Sequence, residues 1–357
     1  MIDTLKKLVS FKTVSVNDQP EEFEKLYQYI DEKLSSLNLV TKEYKKDSYI
    51  SKFWGTVENP DLLFTAHVDV VPADEKMFIP KEEEGKLFGR GVLDMKFAIA
   101  SFIEVFQTIP NIKDYSVGML LTPDEEAGGF YGTKFVLEDS SLSPKIVLLP
   151  DGGADMSIEY AEKGIVHARI TANGKSAHGS RPWLGKNAID ILIDAYQRIK
   201  DEMRNPIDDQ WVSTVNAGKI QGGTATNVVP DQAFLDLDFR VINESDRQKI
   251  KELLHQISKD SPINAEILIE GGSFELDKNN NYLIEYLDLS EKISGKRPLL
   301  IPSAGSSDAR FFADKNIPVI ISRPNGAGHH SENEWIEIES LQKYTEILIE
   351  FAKKFKI

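Results

Sequence analysis

The sequence predicts an α/β protein in two domains, one inserted within the other, and three observations carry that prediction. Apolar segments of strand length alternate with amphipathic helices in both terminal parts of the 357-residue chain. The middle of the chain keeps a different order of elements. Polar, titratable residues stand just beyond the carboxyl ends of several apolar segments.

In the N-terminal part, residues 3–9 and 21–37 read as amphipathic helices. Residues 61–69 read as a strand running into a polar end, followed by a helix at Lys96–Gln107 and a strand at Tyr115–Leu121. A helix at Tyr131–Leu137 and a short apolar strand at Lys145–Leu149 complete the series. Such alternation predicts a three-layer α/β/α domain. Chemistry in such sheets gathers beyond the carboxyl ends of the strands. His67, Asp124-Glu125-Glu126 and Asp151 all fall there.

The rhythm changes near Gly164. Val166–Thr171 reads as a strand, Asn187–Ile199 as a helix and Val212–Gln221 as a strand. Phe234–Arg240 alternates apolar and polar residues, as a strand with one buried face does. A helix at Asp246–Ser258 and a strand at Asn264–Ile269 follow. The order β-α-β-β-α-β is a ferredoxin-like unit. Gly271-Gly272-Ser273 suits a return hinge, after which helices at 281–293 and 307–313 alternate with strands at 298–301 and Pro318–Ile321, before a closing helix from Glu339. The expected domains are 1–163 joined with 275–357, and an inserted 164–274.

Composition narrows the chemistry. Hydrophobic residues at 41% and charged residues at 28% leave little room for long disorder. The N-terminal residues lack the apolar core of a signal peptide, and no run approaches the roughly 18 apolar residues of a membrane span. A cytoplasmic protein without a membrane partner is expected. A net charge of −15 opposes binding to a phosphate backbone, so a nucleic-acid partner is not expected. There is no cysteine, so any metal must sit on His, Asp and Glu.

Several local motifs fit a metal centre. In His67-Val68-Asp69, residues i and i+2 share a strand face, so Asp69 can accept a hydrogen bond from one ring nitrogen and leave the other for metal. Gly89-Arg90-Gly91-Val92-Leu93-Asp94-Met95-Lys96 sets an aspartate on a tight turn before a helix. Asp124-Glu125-Glu126 places three carboxylates together, a repulsion that a metal relieves if one glutamate binds it and another serves as a general base. Asp151 is a further strand-end carboxylate, and Gly326–Trp335 is a glycine-rich loop carrying His329 and His330. Each has a bland reading alone, as a surface pair, a helix cap or a solvated turn. Their joint order does not.

Together these blocks resemble the metallopeptidase family that includes acetylornithine deacetylase, succinyl-diaminopimelate desuccinylase, aminoacylase-1, carnosinase and glutamate carboxypeptidase. The similarity covers essentially the whole chain. It implies a two-metal catalytic domain with an inserted lid and dimerisation domain, and a homodimer. It implies that His67 and Asp151 bind one ion, that Glu126 and His330 bind the other, and that Asp94 bridges them. Glu125 would be the general base and Asp69 would orient His67. His330 rather than His329 matches the family spacing of His, two residues, then Asn333-Glu334. Two divalent ions are implied, zinc by preference, with cobalt or manganese also suited to these ligands. The peptide bond after Asp94 is implied to be cis.

The resemblance extends to the insert. Gly174-Lys-Ser-Ala-His-Gly-Ser-Arg-Pro182 implies that His178 contacts the scissile carbonyl oxygen. Gly222-Gly-Thr-Ala-Thr-Asn227 and Asp238-Phe-Arg240 resemble blocks that grip a substrate carboxylate, and Ser306–Arg310 resembles another substrate-side loop. Asn227, Arg240 and Arg310 are the implied substrate-binding residues. His167 and His255 read as structural. The implied reaction is amide hydrolysis of a small N-acyl amino acid, with a dipeptidase or carboxypeptidase as the alternative. Glu162-Lys163-Gly164 stands where the desuccinylases carry a basic pair.

Other classes fit less well. Gly174–His178 and Gly305–Ala309 lack the last glycine of a serine-hydrolase nucleophile elbow, and Gly326-Ala-Gly328 meets Ser331 where a dinucleotide loop needs glycine. A non-catalytic relative that kept only the fold would have lost Glu125 or a ligand, yet every such position is filled.

Overall fold

The structure is a computed structural model that describes residues 1–208, 210–259 and 262–357. The chain divides into two compact units: residues 1–160, 275–301 and 307–357 form the first, and 161–274 with 302–306 form the second.

The first unit is built on a mixed sheet. Six of its strands are β1 (Val40–Lys46), β2 (Tyr49–Gly55), β3 (Leu62–His67), β4 (Val117–Thr122), β5 (Ile146–Leu148) and β6 (Val319–Ser322), in the spatial order β1-β2-β4-β3-β5-β6, and the sheet continues beyond β6 with the antiparallel strand Ile158–Glu162. β3, β4, β5 and β6 are mutually parallel, whereas β1 and β2 form an antiparallel hairpin on the β4 side. Both β3 and β4 are buried along their whole length. That burial explains their unbroken apolar sequences, because a central parallel strand is covered on both faces.

Helix Lys96–Thr108 packs on β3 and meets helices Ile2–Val9, Pro20–Leu34 and Ile338–Ala352. A separate pair, Thr133–Asp139 and Ala309–Ala313, packs together, with the second of them against β6. The parallel strands therefore end on one common edge: His67 lies opposite Thr122, Phe64 opposite Leu148, and Ile320 opposite Leu148.

A small antiparallel sheet joins distant parts of this unit. Its strands run in the order Gly326–Ala327, Trp335–Glu337, Lys86–Phe88 and Lys81–Glu83. The pairing of Trp335 with Phe88 draws the His329-His330 loop beside the turn that carries Asp94.

The second unit is a four-stranded antiparallel sheet in the order Thr214–Gly222, Gln232–Val241, Gly164–Asn173, Ile263–Gly271. Helices Ala188–Glu202 and Glu244–Lys259 complete the β-α-β-β-α-β order. Alternate residues of the two central strands are buried, and Ile170, Leu237 and Phe239 share a core with Leu192, Ile199 and Leu254 of the helices. Asn187 starts the first helix by accepting the backbone N–H groups of Ile189 and Asp190. No helix among the described residues is long and apolar enough to cross a membrane.

Candidate metal centre

Three strand ends and two turns supply the site. His67 ends β3, Glu125 and Glu126 lie in the turn after β4, and Asp151 lies three residues beyond β5. Asp94 stands at the end of the Gly89–Leu93 turn, and the Asp94–Met95 peptide bond is cis. His330 sits in its loop with φ +61°, a left-handed conformation uncommon for a residue with a side chain. Gly328, at φ +79°, makes that loop possible: an added Cβ would lie 2.3 Å from the Asn333 carbonyl oxygen.

These residues converge. Ligand atoms of His67, Asp94 and Asp151 lie within 4.8 Å of one another, and so do those of Asp94, Glu126 and His330. Asp94 belongs to both groups, with its two oxygens facing different imidazoles. Oδ1 is 3.1 Å from His67 Nε2, and Oδ2 is 3.0 Å from His330 Nε2. His330 Nε2 is also 3.1 Å from Glu126 Oε1. His330 therefore joins the cluster, and His329 lies beside it with ring centroids 5.6 Å apart.

The donor set fits a pair of divalent ions. Three carboxylates and two imidazoles offer hard oxygen and borderline nitrogen ligands, and one carboxylate is placed to serve both halves. Opposite charges in close contact set the proton affinities. Burial alone would lower the His67 pKa, but Asp69 and Asp94 outweigh it and hold the imidazole well above its ordinary range. Asp94 pushes His330 up to about 9. Burial would raise Asp94, yet His330 and His67 hold it well below the usual carboxylate range. Glu125 goes the other way, as burial and then the Asp151 carboxylate push it well above that range.

Asp69 acts differently from the simplest sequence reading. His67 Nδ1 is 2.9 Å from the main-chain carbonyl of Asp69 and 3.4 Å from its carboxylate. The carboxylate instead accepts the backbone N–H groups of Glu125 at 3.3 Å and Glu126 at 2.9 Å. Asp69 thus ties the end of β3 to the turn that presents both glutamates. Asp124, the third acid of that turn, is directed inward: it accepts the Tyr131 N–H at 2.7 Å, and burial pushes its pKa up to about 7.

The insert places its residues as follows. His178 is exposed, in a two-residue strand opposite Val228, and Gly179 donates its N–H to the Asn227 carbonyl. Ser180 donates its backbone N–H to His178 Nδ1 at 3.1 Å, which leaves the proton of a neutral ring on Nε2. Arg240 lies 3.1 Å from Asp238, which also meets His167 at 3.2 Å. In the first unit, Arg310 is buried and donates to the Gly128 carbonyl at 2.7 Å.

Two residues with large structural roles carry no separate sequence signal. Glu334 is fully buried and accepts hydrogen bonds from Arg90 Nη1 at 2.6 Å and from the backbone N–H groups of Gly91, Leu93 and Asp94 at 2.9–3.1 Å. It fixes the backbone turn that aims Asp94. Lys96 is also buried, donates to the Phe11 carbonyl at 2.6 Å, and is pushed down to about 7 by burial.

Residues 63–354 match the sequence profile of Peptidase family M20/M25/M40. A succinyl-diaminopimelate desuccinylase from Sulfurovum sp. (strain NBC37-1) is 29% identical, over 99% of each chain. Another with that name, from Nautilia profundicola, is 27% identical over 99% of each. Among solved structures, a tripeptidase from Staphylococcus aureus superposes with a TM-score of 0.81 at 24% identity, covering 99% of this chain and 97% of the other. An M20 family metallo-carboxypeptidase from Sulfolobus solfataricus gives the same TM-score at 18% identity, over 99% and 98%. The chain belongs to the M20/M25/M40 peptidase family and is a metal-dependent hydrolase of amide or peptide bonds.

Proposed function

We propose that this protein hydrolyses the amide bond of a small N-acyl amino acid at a two-ion centre, with Glu125 as general base. The observation that carries this reading is the sharing of Asp94 between two ligand groups, each within 4.8 Å. His67 and Asp151 would hold one ion, Glu126 and His330 the other, and Asp94 both; zinc suits the set best. When bound, such a pair lowers the pKa of a shared water toward neutrality and polarises the scissile carbonyl.

The chain's own groups do the rest. Glu125 takes the proton of the attacking water and passes it to the leaving nitrogen. Its burial, and then the Asp151 carboxylate, raise its proton affinity above that of an ordinary glutamate. Asp69 keeps Glu125 and Glu126 in register with His67 through their backbone N–H groups. His178, with Nε2–H directed away from Ser180, is the donor to the carbonyl oxygen as charge develops. Asn227, Arg240 and Arg310 serve substrate binding, and the second unit acts as the lid and dimerisation domain.

The acyl-amino-acid reading is favoured over the peptidase one by the names of the relatives that match over nearly the full chain. A screen of N-acetyl amino acids, N-succinyl amino acids and di- and tripeptides against the zinc-loaded protein tests it. Turnover of N-acyl amino acids, its abolition by a chelator and its return with zinc are the expected results, from a species that sediments as a homodimer. Turnover of peptides alone would overturn the substrate assignment, and full activity after complete metal removal would overturn the mechanism.

Ion binding should also depend on pH with a defined sign. An entering ion competes with the protons that His67 and His330 hold against Asp94. His330 has its pKa pushed up to about 9, so below that pH each displaced proton weakens apparent affinity by about tenfold per unit. Chelator competition at pH 6, 7 and 8 should give affinities rising with pH. Calorimetry in buffers of different ionisation enthalpy should show proton release, and a flat pH dependence would contradict this account.

A further inference from the structure

Arg323 leaves the sheet at the edge where the acidic cluster gathers. β6 runs parallel to β5 with Ile320 opposite Leu148, and Arg323 and Asp151 each lie three residues farther on. The two therefore leave neighbouring strands at the same edge of the sheet. The Arg323 N–H donates to the Gly153 carbonyl at 3.4 Å, and the Met156 N–H donates to the Arg323 carbonyl at 3.0 Å, so the backbone is held against the loop that follows Asp151. Its guanidinium is near enough to interact electrostatically with His329, the neighbour of His330.

The side chain is half-buried, and its Nε is closed off from solvent without a hydrogen bond. Among the described residues, no carboxylate or other acceptor meets the guanidinium. That sets it apart from Arg90, Arg169 and Arg240, which pair with Glu334, Asp236 and Asp238. A partly buried cation is costly without a counter-ion. In a chain with a net charge of −15, leaving one unpaired beside a carboxylate-rich centre is unexpected unless an anion arrives from outside.

We propose that Arg323 is a specificity-determining residue that receives a carboxylate carried by the substrate, in addition to the carboxylate assigned to Asn227 and Arg240. This rests on the reading of the protein as a hydrolase of N-acyl amino acids. A guanidinium suits the task because its planar donors meet both carboxylate oxygens at once. The anion is either the distal carboxylate of an acyl group such as succinyl or the α-carboxylate of the amino acid.

The test compares the wild type with Arg323→Ala and Arg323→Lys, each loaded with zinc. The probes are the N-succinyl and N-acetyl derivatives of the amino acid turned over best, and their α-carboxamides. Arg323→Ala is expected to raise KM about 10–100-fold for compounds carrying the recognised carboxylate, with kcat changed far less, and Arg323→Lys to fall between. A selective loss on N-succinyl compounds identifies the distal carboxylate; a selective loss on free acids over carboxamides identifies the α-carboxylate. Direct titration in a Glu125→Gln background, which blocks turnover, should show the same ratio in Kd. Equal losses on all four compounds, or reduced zinc content in both variants, would overturn the assignment while leaving the proposed reaction intact. If the wild type hydrolyses no N-acyl amino acid, the functional reading falls first and the Arg323 assignment with it.

Discussion

Glu125→Gln should fold normally, retain its metal content and lose about 10²–10⁴-fold or more in kcat. The substitution keeps the shape of the side chain and leaves the backbone untouched, so the N–H groups of residues 125 and 126 still donate to Asp69. It also spares all five proposed ligands: His67, Asp94, Glu126, Asp151 and His330. What it removes is a carboxylate that can take a proton and give it back. In the wild type that carboxylate lies near Asp151 and is largely withdrawn from water, so its proton affinity is high for a glutamate. An amide cannot make this exchange at any accessible pH. Elemental analysis, a thermal melt and steady-state kinetics on the same preparation separate the possibilities. Retention of more than a tenth of the activity would remove Glu125 from the role of base. Loss of metal together with activity would make it a ligand instead.

How much of this was legible in the sequence depends on how local the determinant is. β3 and β4 were plain because each is an apolar run that ends in chemistry, at His67 and at Asp124-Glu125-Glu126. The alternation of Phe234–Arg240 and the helical pattern of Asn187–Ile199 are equally local, and the β-α-β-β-α-β order follows from such elements. The β1–β2 hairpin carries no such signal. Val40–Lys46 is mostly polar and exposed along an edge strand, so it lacks the apolar stripe by which a strand is recognised. The small sheet is hidden for another reason, since its strands are two or three residues long and its central pairing spans more than 240 positions.

The site shows the same division. The cluster residues sit in motifs that can be read one at a time, and the structure brings all five together. The orientation of Asp69 could not be read that way. Strand periodicity places its side chain on the face of His67, but the closer acceptor for the ring is a main-chain carbonyl, and the carboxylate is engaged by a turn some 56 positions away. Arg323 offered no motif at all. Its interest arises from the register of β5 and β6 and from the absence of a partner among the described residues, both of which are tertiary facts.

Glu334 is the clearest case of a determinant that only the fold exposes, and its replacement should have the largest effect on stability. Within the sequence it merely sets the spacing from His330. In the structure its carboxylate gathers Arg90 and three consecutive-turn N–H groups into one buried knot under Asp94. Glu334→Ala would leave the buried Arg90 without its counter-ion, holding only the Ser331 carbonyl at 3.2 Å, and three backbone donors without an acceptor, a loss of about 3–5 kcal/mol in folding stability. Glu334→Gln keeps one acceptor oxygen and the side-chain volume, so it should fold, at a cost of about 1–3 kcal/mol. The informative quantity in that variant is metal affinity. If the knot fixes the direction of Asp94, the shared ligand of both groups, then loosening it should weaken binding by about 10–100-fold while the other four ligands are unchanged. Denaturant unfolding measures the first effect and chelator competition on folded Glu334→Gln the second. A fully stable Glu334→Ala, or a Glu334→Gln that binds zinc as the wild type does, would show that the turn holds Asp94 without help from this carboxylate.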